Sequence, residues 1–309
     1  MAGVLAEIAK LPSRFTLTDI QAWRPEGERV TLDDPLMGVG SDLRLNIETG
    51  VATSDRERRA LIRCRVAHNY FDNVTLLLAF ILNDLQDYRE GNRNVWPERL
   101  RLPLDLEKLL SDTRSMLDSL YSLVLLYQPA EISISRAKRE SFGKFSDWYD
   151  RDAPGPFAPP LDHLVEIIPW AQDIRSLRDG YVHHGHESLV FYGDTELYLD
   201  PLAHRPPPRA RIMPDRFYEP TNPNNLIVVE KFLAYIVAPV LAVRRQIGNS
   251  LHALLEELAG WKHYGIGMPY QQGPGVVRMR DWVNRNTEAL DPTLFCQRYF
   301  ATNAADTNE

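Results

Sequence analysis

The chain has 309 residues, of which 44% are hydrophobic and 25% are charged, a composition typical of a globular protein with a substantial core. Its formal net charge of −7 argues against a protein that coats nucleic acid with a wholly basic surface, but it leaves room for a local basic site. The two cysteines, Cys64 and Cys296, are far apart, so we expect neither a disulfide framework nor a cysteine zinc site. This cysteine usage favours a cytoplasmic location.

No secretion or membrane signal is predicted. Residues 1–11 lack the cationic head of a signal peptide, and Glu7 interrupts their apolar stretch. The most apolar window, 74–82, is too short to span a bilayer. A longer one, 226–243, contains Glu230 and Lys231 and is therefore interpreted as a buried helix. We expect no membrane partner.

The N-terminal part, residues 1–53, is predicted to be a β-containing cap or arm. Turn-forming residues are frequent over 12–52, and apolar and polar residues alternate over 42–48 with the period of a half-buried strand. Segments 15–17 and 29–32 look similar. We expect these short strands to precede a helical body.

Long helices are predicted from residue 54 onward. Apolar residues recur at three- and four-residue steps from Leu61 to Leu85, which predicts one helix between Ser54 and Gly91. A second helix is predicted after Pro103, and it should pack antiparallel to the first because the connection is short. A proline-rich loop over 150–160 then separates two helical halves.

The second half is predicted to hold two more helices and a hairpin. The third helix begins near Asp162, is kinked or restarted by Pro169, and ends at Gly180. Residues 188–192 and 196–199 predict a β-hairpin. A fourth helix runs from near residue 225 towards 259. The predicted fold is therefore all-α, or mainly α: an antiparallel bundle over 54–260 with a small hairpin, and a C-terminal extension, 261–309, that ends in a disordered tail.

One segment concentrates chemically versatile side chains. Residues 175–186 hold three of the eight histidines beside two arginines. Arg178 is followed by Asp179 and, after three further residues, by His183, while His184 offers the next longer spacing. This segment resembles the Arg-x4-6-His motif of the HEPN superfamily, the higher eukaryotes and prokaryotes nucleotide-binding domain, in which a polar residue commonly follows the arginine. By architecture the resemblance extends over the predicted bundle, residues 54–260.

Two other places satisfy the bare spacing. Arg63 with His68, and Arg245 with His252, both fall inside predicted long helices, and the arginines are followed by Cys64 and Gln246 rather than by the Asn, Asp or His that is common in the family. Arg178 is preferred because Asp179 follows it. It is also preferred because Gly180 is predicted to break the helix: residues five apart on an unbroken helix point about 140° apart.

The resemblance implies a metal-independent endoribonuclease that needs no cofactor and acts as a homodimer. His183, with His184 as its substitute, would remove the proton of the ribose 2′-hydroxyl and protonate the leaving oxygen. Arg178 would stabilise charge on the phosphoryl oxygens, and Asp179 would orient either Arg178 or the histidine. Such proteins act as toxins or as effectors of antiviral defence against phage, and an antitoxin or regulatory protein is then an expected partner.

Residues around the motif are candidates for binding RNA. Cations suit the phosphate backbone and aromatic rings suit base stacking. The candidates are Arg175, Tyr181, His186, Arg205, Arg209 and Arg211.

Three other interpretations of the segment stay open. Arginines and histidines at a helix C-terminus also complement the helix dipole, so the cluster is compatible with a simple cap. A HEPN-like bundle can also be a non-catalytic module that binds a partner protein, a nucleotide or RNA. Finally, His183, His184 and His186, with Asp194 and His204 nearby, resemble a metal-binding tract, although adjacent histidines do not easily chelate one ion and no metal site is expected.

Overall fold

The computed structural model describes residues 35–91, 95–128, 134, 141–152, 157, 159–184, 189–193, 196–200 and 226–264. Within them the chain forms helices α1 (Pro35–Glu48), α2 (Asp55–Arg89), α3 (Val95–Val124), α4 (Phe142–Asp152), α5 (Pro159–Val165), α6 (Ile168–His184) and α7 (Val229–Glu256). The strands are β1 (Leu189–Tyr192), β2 (Leu197–Asp200) and β3 (Ile227–Val228), and a 3-10 turn, Leu125–Tyr127, follows α3. The described part is mainly α, as predicted.

Residues 42–48, predicted as a strand, belong instead to α1. The buried positions of this helix recur at three- and four-residue steps: Leu36, Val39, Asp42 with Leu43, and Asn46. The prediction was wrong because the helical period begins before residue 42 and includes a polar residue, Asn46. The seven-residue window 42–48 by itself shows only an alternation of apolar and polar residues, which is typical of a strand. Helix α1 packs against α2 and α7, so the predicted boundary at residue 53 falls within one hydrophobic core. Segments 15–17 and 29–32 lie outside the described residues.

Helices α2 and α3 pack antiparallel, which confirms the prediction. At one end, the Arg56 guanidinium lies 5.3 Å from the ring centroid of Tyr127. At the other end, the Arg101 guanidinium lies 5.0 Å from the ring centroid of Phe80. Helix α3 begins earlier than predicted, and Pro103 lies inside it. The proline removes one backbone hydrogen bond, and the burial of neighbouring leucines on the same helix offsets that loss.

The predicted third helix is two helices, α5 and α6. Pro169 is the second residue of α6, where its missing N–H has no intrahelical bond to lose, so the chain restarts the helix there. The predicted end at Gly180 was wrong. Gly180 is buried inside α6, and the helix continues through it because Leu177 and Tyr181 extend the buried face on both sides.

The predicted hairpin is confirmed. Strands β1 and β2 pair antiparallel, with Phe191 opposite Tyr198, and β3 pairs antiparallel with β2 to give the order β1-β2-β3. Because β3 occupies 227–228, α7 begins at Val229, slightly later than the sequence predicts.

Helix α7 is held in the core by two buried polar side chains. The Trp170 indole on α6 is fully buried and donates to the Tyr235 carbonyl at 2.9 Å. Arg244 is only 2% exposed. Its guanidinium lies 4.0 Å from the Phe71 ring centroid and donates to the Ala67 carbonyl at 3.3 Å, both on α2. Among the described residues, none of the helices combines the length and apolar character needed to cross a bilayer.

Candidate functional site

The structure brings Arg178 and Asp179 together on α6. The Arg178 Nη1 donates to the Asp179 Oδ1 at 2.8 Å. The two side chains are 31% and 38% exposed, so a ligand in solvent can reach them. The carboxylate thus holds one end of the Arg178 guanidinium in place.

A chain of alternating charges extends from this pair to α4. The Arg175 Nη1 donates to both carboxylate oxygens of Asp147, at 2.8 and 2.7 Å, and the Arg175 Nε lies 3.7 Å from the Asp179 Oδ2. We call Asp147, Arg175, Asp179 and Arg178 the charge chain. The hydrogen bonds that Arg175 donates to Asp147 raise the pKa of Arg175, which therefore stays charged. Two carboxylates balance two guanidinium groups, so these four residues together carry no net charge.

The continuous helix decides how Arg178 and His183 are arranged. Both lie in α6, five residues apart, so their backbone positions differ by about 140° around the helix axis and by roughly 7.5 Å along it. The break at Gly180 that was expected to bring them to one phosphate does not occur in α6. This removes one of the two reasons for preferring Arg178 over Arg63 and Arg245, because all three arginines lie inside helices.

The structure describes only some of the other predicted site residues. His183 and His184 occupy the last turn of α6, and their side chains are outside the described part. Tyr181 is 5% exposed and packs in the hydrophobic core, so its ring is not presented to a base. The remaining candidates lie outside the described residues: His186, Arg205, Arg209 and Arg211.

A second polar cluster, which the sequence analysis did not find, joins α1 to the end of α7. The His263 Nδ1 lies 2.9 Å from the Asp42 Oδ2, and the His252 Nδ1 lies 3.9 Å from the same oxygen. The two imidazole centroids are 5.1 Å apart. We call Asp42, His252 and His263 the Asp-His-His cluster. Its members are separated by 210 and 11 residues, and no motif with that spacing signals it.

The two histidines of this cluster have opposite electrostatic environments. Burial lowers the pKa of His252. Hydrogen bonds with the carboxylates of Asp42 and Glu256 raise the pKa of His263. Asp42 is almost buried, at 8% side-chain exposure, whereas His263 is 40% exposed. The cluster therefore has a closed side towards α1 and an open side towards solvent.

Comparisons of this chain with protein-family models, with curated proteins and with solved structures find no match.

Proposed function

We propose that this chain is a HEPN-type endoribonuclease that cleaves RNA without a metal, through Arg178 and His183. The observation that carries the proposal is the hydrogen bond between Arg178 and Asp179, on a part-exposed surface of α6. It supports the proposal because a polar Asn, Asp or His commonly follows the arginine in the family, and here Asp179 holds the guanidinium. Toxicity or antiviral defence, with an antitoxin or regulatory partner, belongs to the same proposal.

The proposed chemistry divides the reaction between two side chains. His183 removes the 2′-hydroxyl proton, the 2′-oxygen attacks the adjacent phosphorus, and the 5′-oxygen leaves with a proton supplied by a histidine. Arg178 donates hydrogen bonds to the phosphoryl oxygens, whose charge increases in the transition state. Asp179 keeps the guanidinium in place without entering the reaction. The products are a 2′,3′-cyclic phosphate and a 5′-hydroxyl.

Two copies of the chain form the proposed site, as the family resemblance implies. Arg178 and His183 occupy backbone positions about 140° apart around a continuous helix, which favours a site that combines residues of two copies. A two-fold pair of α6 helices can place Arg178 of one copy beside the histidine of the other. The proposal therefore includes a homodimer with a composite site.

A second candidate function is a non-catalytic module that binds a partner protein, a nucleotide or RNA. The specific observation in its favour is the charge chain, in which Arg175 and Arg178 are already hydrogen-bonded to carboxylates of the protein. Arginines held in this way can still bind an anion. In this candidate function no acid–base group acts beside them, so the bound RNA or nucleotide is not cleaved. The two candidates differ in whether RNA is cleaved.

The first experiment incubates the purified protein with single-stranded and transfer RNA in EDTA and maps the product ends. We expect cyclic-phosphate ends from the wild type and at least about a hundredfold loss of rate in Arg178→Ala and His183→Ala. Arg65→Ala, at an exposed position of α2, is the matched control and should cleave normally. Thermal unfolding checks that each variant is folded. An inactive wild type, or equal activity in all variants, contradicts the nuclease proposal and favours the binding module.

A mixing experiment tests the composite site. Arg178→Ala and His183→Ala are each inactive alone, but their heterodimer contains one site with both residues intact. After unfolding and refolding of an equal mixture, about half of the dimers are heterodimers, so about a quarter of the wild-type rate should return. A mixture that stays inactive while forming heterodimers contradicts the two-copy site.

A further inference from the structure

The Asp-His-His cluster has the composition and spacing of a metal site. One ligand atom from each residue lies within 4.8 Å of the other two. Bonds of about 2.0–2.2 Å to a tetrahedral ion place ligand atoms roughly 3.3–3.5 Å apart. The distances from the Asp42 Oδ2 to the two Nδ1 atoms, 2.9 and 3.9 Å, lie on either side of that value. A change of about half an ångström brings each of these two distances to the tetrahedral value.

The tautomer of His252 leaves a lone pair facing this centre. Its Nε2 lies 3.0 Å from the Pro35 carbonyl oxygen, which only accepts, so the Nε2 carries the proton. In the neutral ring the Nδ1 is then an acceptor. It is buried, it has no hydrogen-bond partner among the described residues, and it faces the Asp42 Oδ2, another acceptor. Two facing acceptors repel each other unless a cation or a proton lies between them.

His263 is held by an outer carboxylate in the manner of a metal ligand. Its Nε2 is hydrogen-bonded to the Glu256 Oε1, and its Nδ1 points to Asp42. A metal ion replaces the proton on the Nδ1 and leaves the Nε2–H donating to Glu256. Each histidine thus has an outer acceptor on one nitrogen, the Pro35 carbonyl or the Glu256 carboxylate, and the cluster centre on the other.

The surrounding backbone fixes the ligands in place. The Tyr264 N–H donates to the Asp42 Oδ1 at 3.3 Å, which leaves the Oδ2 for the centre. Asn46, fully buried, donates to the Lys262 carbonyl and accepts from the Lys262 N–H, at 2.9 and 3.1 Å. A Cβ on Gly38 would lie 3.0 Å from the His252 Nε2, so this glycine makes room for the ring. The site is braced from α1 and from the segment after α7.

We propose that Asp42, His252 and His263 bind one divalent transition-metal ion of the zinc type. Two imidazole nitrogens and one carboxylate oxygen are the ligands that such ions take in proteins, and the exposed side of His263 leaves a fourth position for water. The ion stabilises the packing of residues 262–264 against α1. The site is independent of the proposed nuclease. It shares no residue with the charge chain or with His183.

The test measures metal binding directly. The full chain is stripped with EDTA, freed of chelator and titrated with Co²⁺, whose visible absorption reports its ligand geometry, and then with Zn²⁺ in competition. We expect one equivalent of each ion, a tetrahedral Co²⁺ spectrum displaced by Zn²⁺, and a rise in Tm with Zn²⁺. His252→Gln and His263→Gln should each weaken binding at least about tenfold.

A matched control separates this site from general histidine binding. His163→Gln removes a histidine of α5 that hydrogen-bonds the Ser250 hydroxyl, two residues from His252, and it should bind the ion as the wild type does. His263→Gln is a second variant at an exposed position, where misfolding is less of a concern than at half-buried His252. No binding by the wild type, or undiminished binding by both cluster variants, overturns the proposal. The second result would indicate that the ion binds instead at the tract of His183, His184 and His186.

Discussion

The charge chain and the Asp-His-His cluster are built in different ways. In the charge chain, three of four residues lie within five positions of α6, and the side chains are between 31% and 39% exposed. In the cluster, three residues come from α1, from α7 and from the segment after it, around an Asp42 carboxylate that is 8% exposed. A local motif therefore detects the Arg178–Asp179 part of the first arrangement, whereas only the fold creates the second.

The two regions should differ in how much folding stability is lost when each is disrupted. Exposed ion pairs contribute about 0–1 kcal/mol, because water and salt screen them. The cluster depends on the close crossing of α1 and α7, where a steric change displaces backbone as well as side chains. We expect changes at the crossing to affect both stability and metal binding, and changes in the charge chain to affect neither strongly.

The largest effect is expected from Gly248→Ala on α7. An added Cβ would lie 2.3 Å from the Leu36 nitrogen and 2.7 Å from the Pro35 carbonyl carbon, so α1 must move away. Because overpacking of this kind typically costs about 1–3 kcal/mol, we expect a loss near the upper end in urea unfolding. Zn²⁺ binding should weaken as well, since the Pro35 carbonyl holds His252.

Gly40→Ala on α1 is the matched control for this change. Its Cβ would lie 3.6 Å from the Cys64 Cβ, an ordinary contact, and alanine is the better helix former. We expect the free energy of unfolding to change by less than about 1 kcal/mol. Equal losses in the two variants would contradict the close crossing of α1 and α7.

How far the sequence predicts the fold depends on whether the buried stripe is apolar. Helix α2 is predicted correctly because apolar residues follow the helical period along most of its length. Helix α1 is not, because Asp42 and Asn46 occupy its buried stripe as polar residues. Their partners are at 262–264, more than 200 residues away, so no local window contains the reason for their burial.

The same limit applies to the sites. The spacing of Arg178, Asp179 and His183 is visible in the sequence, and the structure brings the first two together. The sequence also predicted that Gly180 ends the helix, since glycine is common there. It could not show that Leu177 and Tyr181 are buried on either side and carry the helix through. His252 was set aside as a chance match, and its contact with Asp42 exists only in the folded chain.

A smaller effect is expected in the charge chain, and a double-mutant cycle of Arg175→Ala and Asp147→Ala measures it. The Arg175 Nη1 donates to both Asp147 oxygens, but both side chains are 39% exposed, so we expect a coupling of about 0.5–1 kcal/mol. It should decrease in 1 M salt. The Arg59–Asp55 pair on α2, 65% and 73% exposed, is the control and should give at most about 0.5 kcal/mol. A coupling in the charge chain no larger than this would show that its ion pairs are not ordered.

The smallest effect concerns the pH dependence of stability at the cluster end of α7. The His163 Nε2 is hydrogen-bonded to the Ser250 Oγ at 2.8 Å, and burial lowers the pKa of His163 below 6.5, against the opposing effect of Glu166 and Asp162. The unfolded chain therefore takes up a proton at a higher pH than the folded one, so the contribution of neutral His163 is present at pH 7 and declines as the pH falls below 6.5. His163→Gln keeps a hydrogen-bonding group and removes this titration. We expect the difference in the free energy of unfolding between wild type and variant, measured by urea unfolding, to shrink from pH 7.5 to pH 5.5. A difference that stays constant would mean that His163 has the same pKa in the folded and unfolded states. His252 and His263 are present in both proteins, so their own titrations largely cancel in this difference, which isolates the buried histidine next to the cluster.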